Sequence, residues 1–458
     1  MVQIIFILIT LFVSYKIIKS DDSERLYWYL GGILFLNTEI VIVYSPYLSS
    51  IRVLTIVMAI TCLFKDSKQE WKDFPLIIPL ICTFILLLMV GILDARLSFM
   101  TKIIRPVNYF LYTMFIVYIS FLSFKDEKHW IQLTKVLYIL TLFVCLYGLF
   151  NHFIRFNPYN AIIMDYTGAR DISNAFQEST SRARISSFTN NPIFYGYLVS
   201  VLLFVLIYNH LSGIYKITIK EKFTVILFIL LLVNLYLSNS RTPYAVFVAG
   251  TAAIVFLFFD NKKRWKAIVV FLCIAAVLMT IPVVRKSVET VTDIFASEQE
   301  IEGSSIEMRM MQLEAAIAVF DLNIYTGNGY DYIWEGLGFN SDTELSEADK
   351  DFQGFESYIF VILIEQGLVG IVANIIFFGS LFFWFFRQRK FSTATRQIST
   401  LGIVIIGAFL FFSIATGALY SWFISMFFIG ISMKRIMLEK ENIAVDSENL
   451  FDVNDHNE

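Results

Sequence analysis

Apolar and polar positions follow one another along this chain in long blocks, and the apolar blocks show no period of two. A helix needs about 20 apolar residues to cross a hydrocarbon layer of about 30 Å, and the blocks approach that length. The pattern predicts spans at 2–18, 27–43, 47–64, 74–93, 106–124, 133–150, 192–208, 223–238, 243–259, 265–284, 357–386 and 398–433. A β-barrel would need shorter, alternating strands, so it is excluded. The last block is long enough for two helices broken near Ala415, Thr416 and Gly417. The expected fold is therefore all-α, a polytopic transmembrane bundle of about 12–13 spans.

Composition sharpens the class. Of 458 residues, 57% are hydrophobic and 16% charged, against about a quarter charged in an average soluble protein. Too few charges remain to coat soluble domains, and a soluble globular protein is excluded. Residues 2–18 lack a basic leader, and Lys16, Lys19 and Arg25 come after the run, so a retained helix is expected rather than a signal peptide. Cys62, Cys82, Cys145 and Cys273 all fall in apolar runs, and His129, His152, His210 and His456 are scattered. Neither a disulfide framework nor a metal site is expected. No basic stripe points to nucleic acid.

Basic residues in alternate loops set an orientation, because Lys and Arg accumulate on the cytoplasmic side. The odd-numbered loops hold about 19 Lys and Arg, the even-numbered ones about 12 despite being far longer. This puts the odd loops inside, the loops 151–191 and 285–355 outside, and the carboxyl terminus inside if the last block crosses twice. The division read from the chain is 1–284 for the first ten spans, 285–355 for a partly helical extracytoplasmic loop, 356–437 for the closing spans and 438–458 for a polar tail. Residue type separates the sides further. About 14 of the inner 19 are Lys, whereas nine of the outer 12 are Arg: Arg96, Arg105, Arg155, Arg170, Arg182, Arg184, Arg241, Arg285 and Arg309. Arg presents a planar, always charged fork suited to phosphate or carboxylate. One reading is an external anion site; the other is local neutralisation, since loop 285–355 carries about 15 Asp and Glu.

Four segments on the outer side bear candidate chemistry. Arg184 opens a run that ends in Asn190-Asn191-Pro192, a turn followed by a helix start. Ser238-Asn239-Ser240-Arg241-Thr242-Pro243-Tyr244 forms a polar knot between two spans, and a charge at membrane depth is a functional candidate unless it merely snorkels. From Arg309, apolar positions 310, 313, 317 and 320 recur at helical spacing and lead to Gly327-Asn328-Gly329. Without a Lys-Ser/Thr pair and a preceding strand, that glycine turn is not a nucleotide loop. Glu356-Ser357-Tyr358 opens the next span, where a carboxylate leaving water can become a general base or simply face the helix dipole. Glu365, deeper on that span, is expected to find a partner such as Arg52. Asp331, Glu335, Asp349 and Asp351 are further acids that could serve as base.

Together these segments resemble the O-antigen ligase and O-antigen polymerase family of bacterial envelope glycosyltransferases. The likeness runs over about residues 180–380: Arg184 to Pro192, Ser240-Arg241, an Arg-led helix from Arg309 ending in Gly-x-Gly, and Glu365-x-Gly-Leu-x-Gly. The family implies a GT-C-type enzyme in the bacterial plasma membrane, acting on its outer face without nucleotide sugar, metal or other cofactor. A glycan on undecaprenyl diphosphate passes to a sugar hydroxyl with inversion. By correspondence, Arg241 and Arg309 bind the diphosphate, and Glu356 stands where the base is expected. Arg184, Asn191, Ser240, Gly327, Gly329, Ser357 and Tyr358 fall at substrate-binding positions. Ligases of the family begin the later span with His-Asn, whereas this chain has Glu356-Ser357. A polymerase of O-antigen, capsule or exopolysaccharide units is therefore preferred, with a flippase and a chain-length regulator as expected partners. Ligase-type transfer of a finished glycan is the first alternative; a polysaccharide or lipid-linked sugar transporter is the second, disfavoured because no internal repeat is visible.

Overall fold

The apolar blocks fold as helices, and their faces sort by polarity. In the computed structural model the residues described are 2–36, 38–43, 48–65, 73–167, 174, 183–214, 221–259, 261–280, 285, 306–335, 357–416 and 419–455. In chain order the helices are α1 (Val2–Lys19), α2 (Asp22–Phe35), α3 (Ser50–Lys65), α4 (Ile77–Leu93), α5 (Phe99–Tyr112), α6 (Phe115–Ser123), α7 (Glu127–Ile154) and α8 (Pro158–Thr167). They continue with α9 (Pro192–Leu211), α10 (Glu221–Leu237), α11 (Arg241–Phe258), α12 (Asn261–Met279), α13 (Ile306–Phe320) and α14 (Tyr332–Glu335). The last three are α15 (Tyr358–Gln388), α16 (Thr393–Ala415) and α17 (Leu419–Asp455). Among the described residues, α1, α7, α9, α11, α15, α16 and part of α17 are long and apolar enough to cross a membrane. The bent pair α5 and α6 makes an eighth candidate, and α3 and α4 are shorter apolar helices. The protein is a polytopic all-α membrane protein.

Burial ranks the helices. In α9, 83% of the spanning window is inside the protein, against 22% in α1, so α9 is central and α1 peripheral. α17 equals α9 in burial and packs on α16 and α6. The outer faces of α1, α4, α7, α10 and α15 expose Ile, Leu and Phe, for example Leu8, Ile78, Phe143, Ile229 and Ile375, as a lipid-facing surface requires.

The bundle has two distinguishable ends. At the short-loop end, the Arg389 guanidinium donates to the Leu257 carbonyl at 2.8 Å, joining the end of α15 to the end of α11. Ser392 caps α16 reciprocally with Thr395, and the Arg435 guanidinium grips the Glu127 carboxylate at the start of α7. At the long-loop end, the N–H of Tyr358 donates to the Thr416 carbonyl at 3.3 Å, joining the start of α15 to the end of α16.

Three differences from the sequence pattern have local causes. The apolar positions expected to finish the span 27–43 instead form β1 (Val41–Val43), antiparallel to β2 (Leu48–Ser49). Glu39 interrupts the apolar run there, and β-branched residues follow it. The block 106–124 breaks at Thr113 and bends by 49° between α5 and α6. On α13 the buried positions are Gln312 and Ala316, while Met310 and Ile317 stay exposed, not the 310, 313, 317 stripe expected. The small Ala316 side chain allows close approach to Ile364 of α15. The last apolar block does divide into two helices, meeting around Thr416.

Candidate functional site

The Ser238–Tyr244 knot closes α10 onto α11 with few residues. Ser238 ends α10, its Oγ donating to the Leu235 carbonyl at 2.7 Å. Asn239 takes a left-handed conformation, φ 46°, which Asn tolerates better than most residues. Ser240 is the N-cap of α11, but its hydroxyl turns back to the Ser238 carbonyl at 2.9 Å rather than capping the helix. Arg241 is thereby the first helical residue, where the unbonded N–H groups of a helix start add positive potential.

The Arg184 segment lies against this knot. Ile185 N–H donates to the Leu237 carbonyl at 3.1 Å, and Arg184 is within electrostatic reach of the Tyr244 hydroxyl. Buried asparagines fix the segment from the other side. The Asn157 amide donates to Ser186 Oγ at 2.9 Å and to the Ser187 carbonyl at 2.7 Å. Asn160 donates to the Thr189 carbonyl at 2.8 Å, and Asn157 N–H donates to Asn174 Oδ1 at 2.6 Å. Asn190 reaches Glu39 Oε1 at 3.2 Å. Asn191 is spent on structure, since its Oδ1 accepts the Ile193 N–H at 2.8 Å and caps α9. The sequence reading missed Asn157, Asn160, Asn174 and Glu39. The Asn157-Pro158-Tyr159-Asn160 run was the available signal, since it repeats the Asn-Pro helix start of Asn191-Pro192.

Depth follows from helix contacts. Gly196 of α9 packs on Pro243 of α11, while Tyr197 and Phe194 pack on Phe412 of α16. Pro243 therefore lies near the level of Phe412, and Arg241, two residues earlier on α11, lies closer to the long-loop end, toward Thr416. At the Thr416 level, Ser357 caps α15; it is fully buried, and its hydroxyl has no hydrogen-bond partner among the described residues. Tyr358 bonds to Tyr109 and donates to Asn374 Oδ1 at 3.1 Å.

A second assembly, the clasp, fastens the turn that follows α13 onto α15. α15 is interrupted at Gly367, φ 59°, and the turn after α13 enters the break. Asn328 N–H donates to the Ile364 carbonyl at 2.8 Å and Gly329 N–H to the Glu365 carbonyl at 2.9 Å. In return, Leu368 and Val369 N–H donate to the carbonyls of Ile324 and Tyr325, each at 2.9 Å. Gly327 and Gly329 both have positive φ, and a Cβ on either would strike the α15 backbone or the Asp94 carboxylate. The two glycines serve this close approach. Asp94 holds Arg96 bidentately, Arg105 donates to the Tyr330 carbonyl at 2.8 Å, and the Tyr330 hydroxyl donates to the Leu87 carbonyl at 2.9 Å. Burial, with Tyr109 beside it, raises the Tyr330 phenol well above its ordinary pKa and keeps it a neutral donor. Glu365 accepts from Ile333 N–H at 3.3 Å and faces Asp331 and Arg96. Its expected partner Arg52 lies over the Tyr112 ring instead.

The structure thus groups Arg184, Asn191, Ser240 and Arg241 at the knot, and Gly327 and Gly329 at the clasp. Ser357 and Tyr358 stand at the upper end of α16 between them, since α16 packs on both α11 and α15. Arg309 falls in the first turn of α13, its side chain outside the described residues, and Glu356, Asp349 and Asp351 lie outside them altogether. Asp331 is half exposed and paired with Arg105 at 3.3 Å. Among the described residues no group of three His, Cys, Asp or Glu is placed to hold a metal ion.

Residues 226–375 match the sequence model of a family described as O-antigen ligase. No curated protein matches the chain. The matched stretch, about a third of the chain, runs from α10 through the knot, α13 and the clasp to the middle of α15, so the likeness to that family falls on the two assemblies that shape this end of the bundle.

Proposed function

We propose that the protein is a polymerase of lipid-linked polysaccharide repeat units, acting at the outer face of the bacterial plasma membrane. The donor is a glycan on undecaprenyl diphosphate, and the acceptor is a sugar hydroxyl of a second lipid-linked unit. The single observation that carries this reading is the position of Arg241: it heads α11 within the knot, beside the Arg184 segment, at the same end of the bundle as Thr416 and Ser357.

In this reading the diphosphate lies against Arg241 with Arg309 and Arg184 as further cations, and the acceptor enters beside Ser357 and Tyr358. The acceptor oxygen attacks the anomeric carbon from the face opposite the diphosphate. The new carbon–oxygen bond forms as the bond to the diphosphate oxygen breaks, which inverts the centre. Glu356 takes the hydroxyl proton, and the charge developing on the leaving diphosphate is stabilised by fixed cations in a water-poor recess. The Asn157 and Asn160 bonds keep the Arg184 segment from moving during this charge transfer.

Incubating purified protein with an undecaprenyl-diphosphate-linked repeat unit tests the proposal. Longer lipid-linked chains are expected, and Arg241→Ala is expected to abolish them while the protein remains folded. Full extension by Arg241→Ala overturns the diphosphate assignment. The family description favours a second reading, ligase-type transfer; products on a lipid-core, protein or polymer acceptor, without chain extension, would establish it.

A further inference from the structure

At the short-loop end, away from the knot and the clasp, three arginines from different elements converge. Arg264 is in the first turn of α12, Arg389 follows α15 and Arg396 is in the first turn of α16. They are close enough that Arg396 and Arg264 add to burial in lowering the pKa of Arg389. Like charges cluster this way only when something offsets them. Among the described residues, no carboxylate is within ion-pair distance of Arg264 or Arg389. Asp260 lies outside the described residues, and one carboxylate neutralises at most one of these two guanidiniums.

The donor inventory agrees. Arg389 gives one N–H to the Leu257 carbonyl at 2.8 Å, and Arg264 one to the Phe259 carbonyl at 3.4 Å. Each guanidinium has five N–H groups, and the buried Nε of both residues has no acceptor. Their planes are set by ring contacts, Arg264 over Phe256 at 4.5 Å and Arg389 over Phe386 at 5.6 Å. Those same rings are about half exposed, Phe256 at 54% and Phe386 at 49%, on helices whose exposed surface faces hydrocarbon. The cluster therefore joins fixed cationic donors to an apolar wall that continues into the membrane.

We propose that this cluster is a binding site for the phosphate of an anionic phospholipid, with the acyl chains lying along Phe256 and Phe386. The phosphate oxygens accept from the terminal guanidinium N–H groups of Arg264 and Arg389, both of which are only partly buried, and Arg396 adds charge. Arg suits this role because its fork contacts two oxygens at once. The site is independent of the transfer chemistry proposed above, so its test needs no activity.

The purified protein is reconstituted in phosphatidylcholine vesicles with or without phosphatidylglycerol, and thermal unfolding and retained lipid are measured. Phosphatidylglycerol is expected to raise Tm and to remain bound through purification. The double variant Arg264→Gln/Arg389→Gln is expected to bind it roughly tenfold more weakly and to lose the rise, measured against its own Tm in pure phosphatidylcholine. Lys16→Gln/Lys19→Gln removes the same charge at the end of α1 and is expected to keep the full response. Equal losses in the two double variants would reduce the effect to general surface charge and overturn the site. An unchanged response in the arginine variant overturns it as well. Inorganic phosphate reproducing the whole rise in phosphatidylcholine vesicles would replace the lipid by a free anion and overturn the lipid assignment.

Discussion

Apart from one backbone bond, Ile185 N–H to the Leu237 carbonyl, the fastening at the knot is done by side chains; at the clasp it is done by backbone. Asn157 and Asn160 hold the Arg184 segment through amide hydrogen bonds to Ser186, Ser187 and Thr189. The clasp instead pairs main-chain groups of 324–329 with those of 364–369, and uses positive-φ glycines to bring them together. A side-chain network can be altered one bond at a time. A backbone pairing that depends on glycine holds or fails as a unit, because a single Cβ separates the two chains. The two regions therefore do different structural work: the knot fixes the start of α11, where Arg241 stands, and the clasp fixes the turn after α13 on α15.

The largest effect expected is at Arg241. Removing one preorganised charge stabiliser costs on the order of 10²–10³ in turnover, so Arg241→Ala should lower chain extension by about that factor with little change in Tm. Arg241→Lys keeps the charge but loses the two-oxygen fork and should fall between. Equal turnover of all three proteins, measured at saturating donor, would remove the knot from the chemistry.

Gly329→Ala probes the clasp and comes next. A residue with a Cβ pays roughly 1–2 kcal/mol in a left-handed conformation, and here the added carbon also meets the Asp94 carboxylate and Arg96. The loop should undock, with protease cleavage within 306–335 rising and chain extension falling together. Cleavage without lost extension would show that docking of α13 is irrelevant to turnover. Gly367→Ala, on the other side of the same pairing, should give the same pair of changes.

These two regions also differ in how legibly the chain announced them. Arg241 was readable because a charge between two apolar spans is rare and needs no tertiary information to notice. The helical class and most spans were readable for the same reason, since block length alone reports them. Gly327 and Gly329 stood out as well, but as a candidate ligand turn; only the packed structure shows that Gly367, forty residues on, opens the helix to receive them. Likewise the buried face of α13 follows Ala316 rather than its larger apolar residues, because closeness to α15 outweighed hydrophobic area. Asn157 and Glu39 were invisible for want of distance information: the Asn157 amide reaches Ser186, 29 positions away, and Glu39 meets Asn190, 151 positions away.

Asn157→Ala should act less strongly than the glycine changes and in a different manner. It strands the buried Ser187 carbonyl and takes one donor from Ser186 Oγ, a cost of about 1–3 kcal/mol, without prying two backbones apart. Tm should fall by a few degrees, and turnover by less than in Arg241→Ala, with loop cleavage in 306–335 unchanged. Increased cleavage there would mean that the two assemblies are coupled and that the distinction between them fails.

The smallest effect expected is at Arg105, and its smallness is the sharper test of what holds the clasp. Arg105 pairs with Asp331 at 3.3 Å, but that carboxylate is 56% exposed, and an ion pair so open to water contributes about 0–1 kcal/mol. Its bond to the Tyr330 carbonyl is one that the amide of Gln can imitate. If backbone pairing carries the docking, Arg105→Gln should leave protease resistance of 306–335 nearly unchanged and chain extension within about twofold of the parent, while Arg105→Gln/Asp331→Asn should show a coupling below about 1 kcal/mol. A loss as large as that of Gly329→Ala would reverse the assignment: the ion pair would then be the fastening, and the glycines would only clear its path.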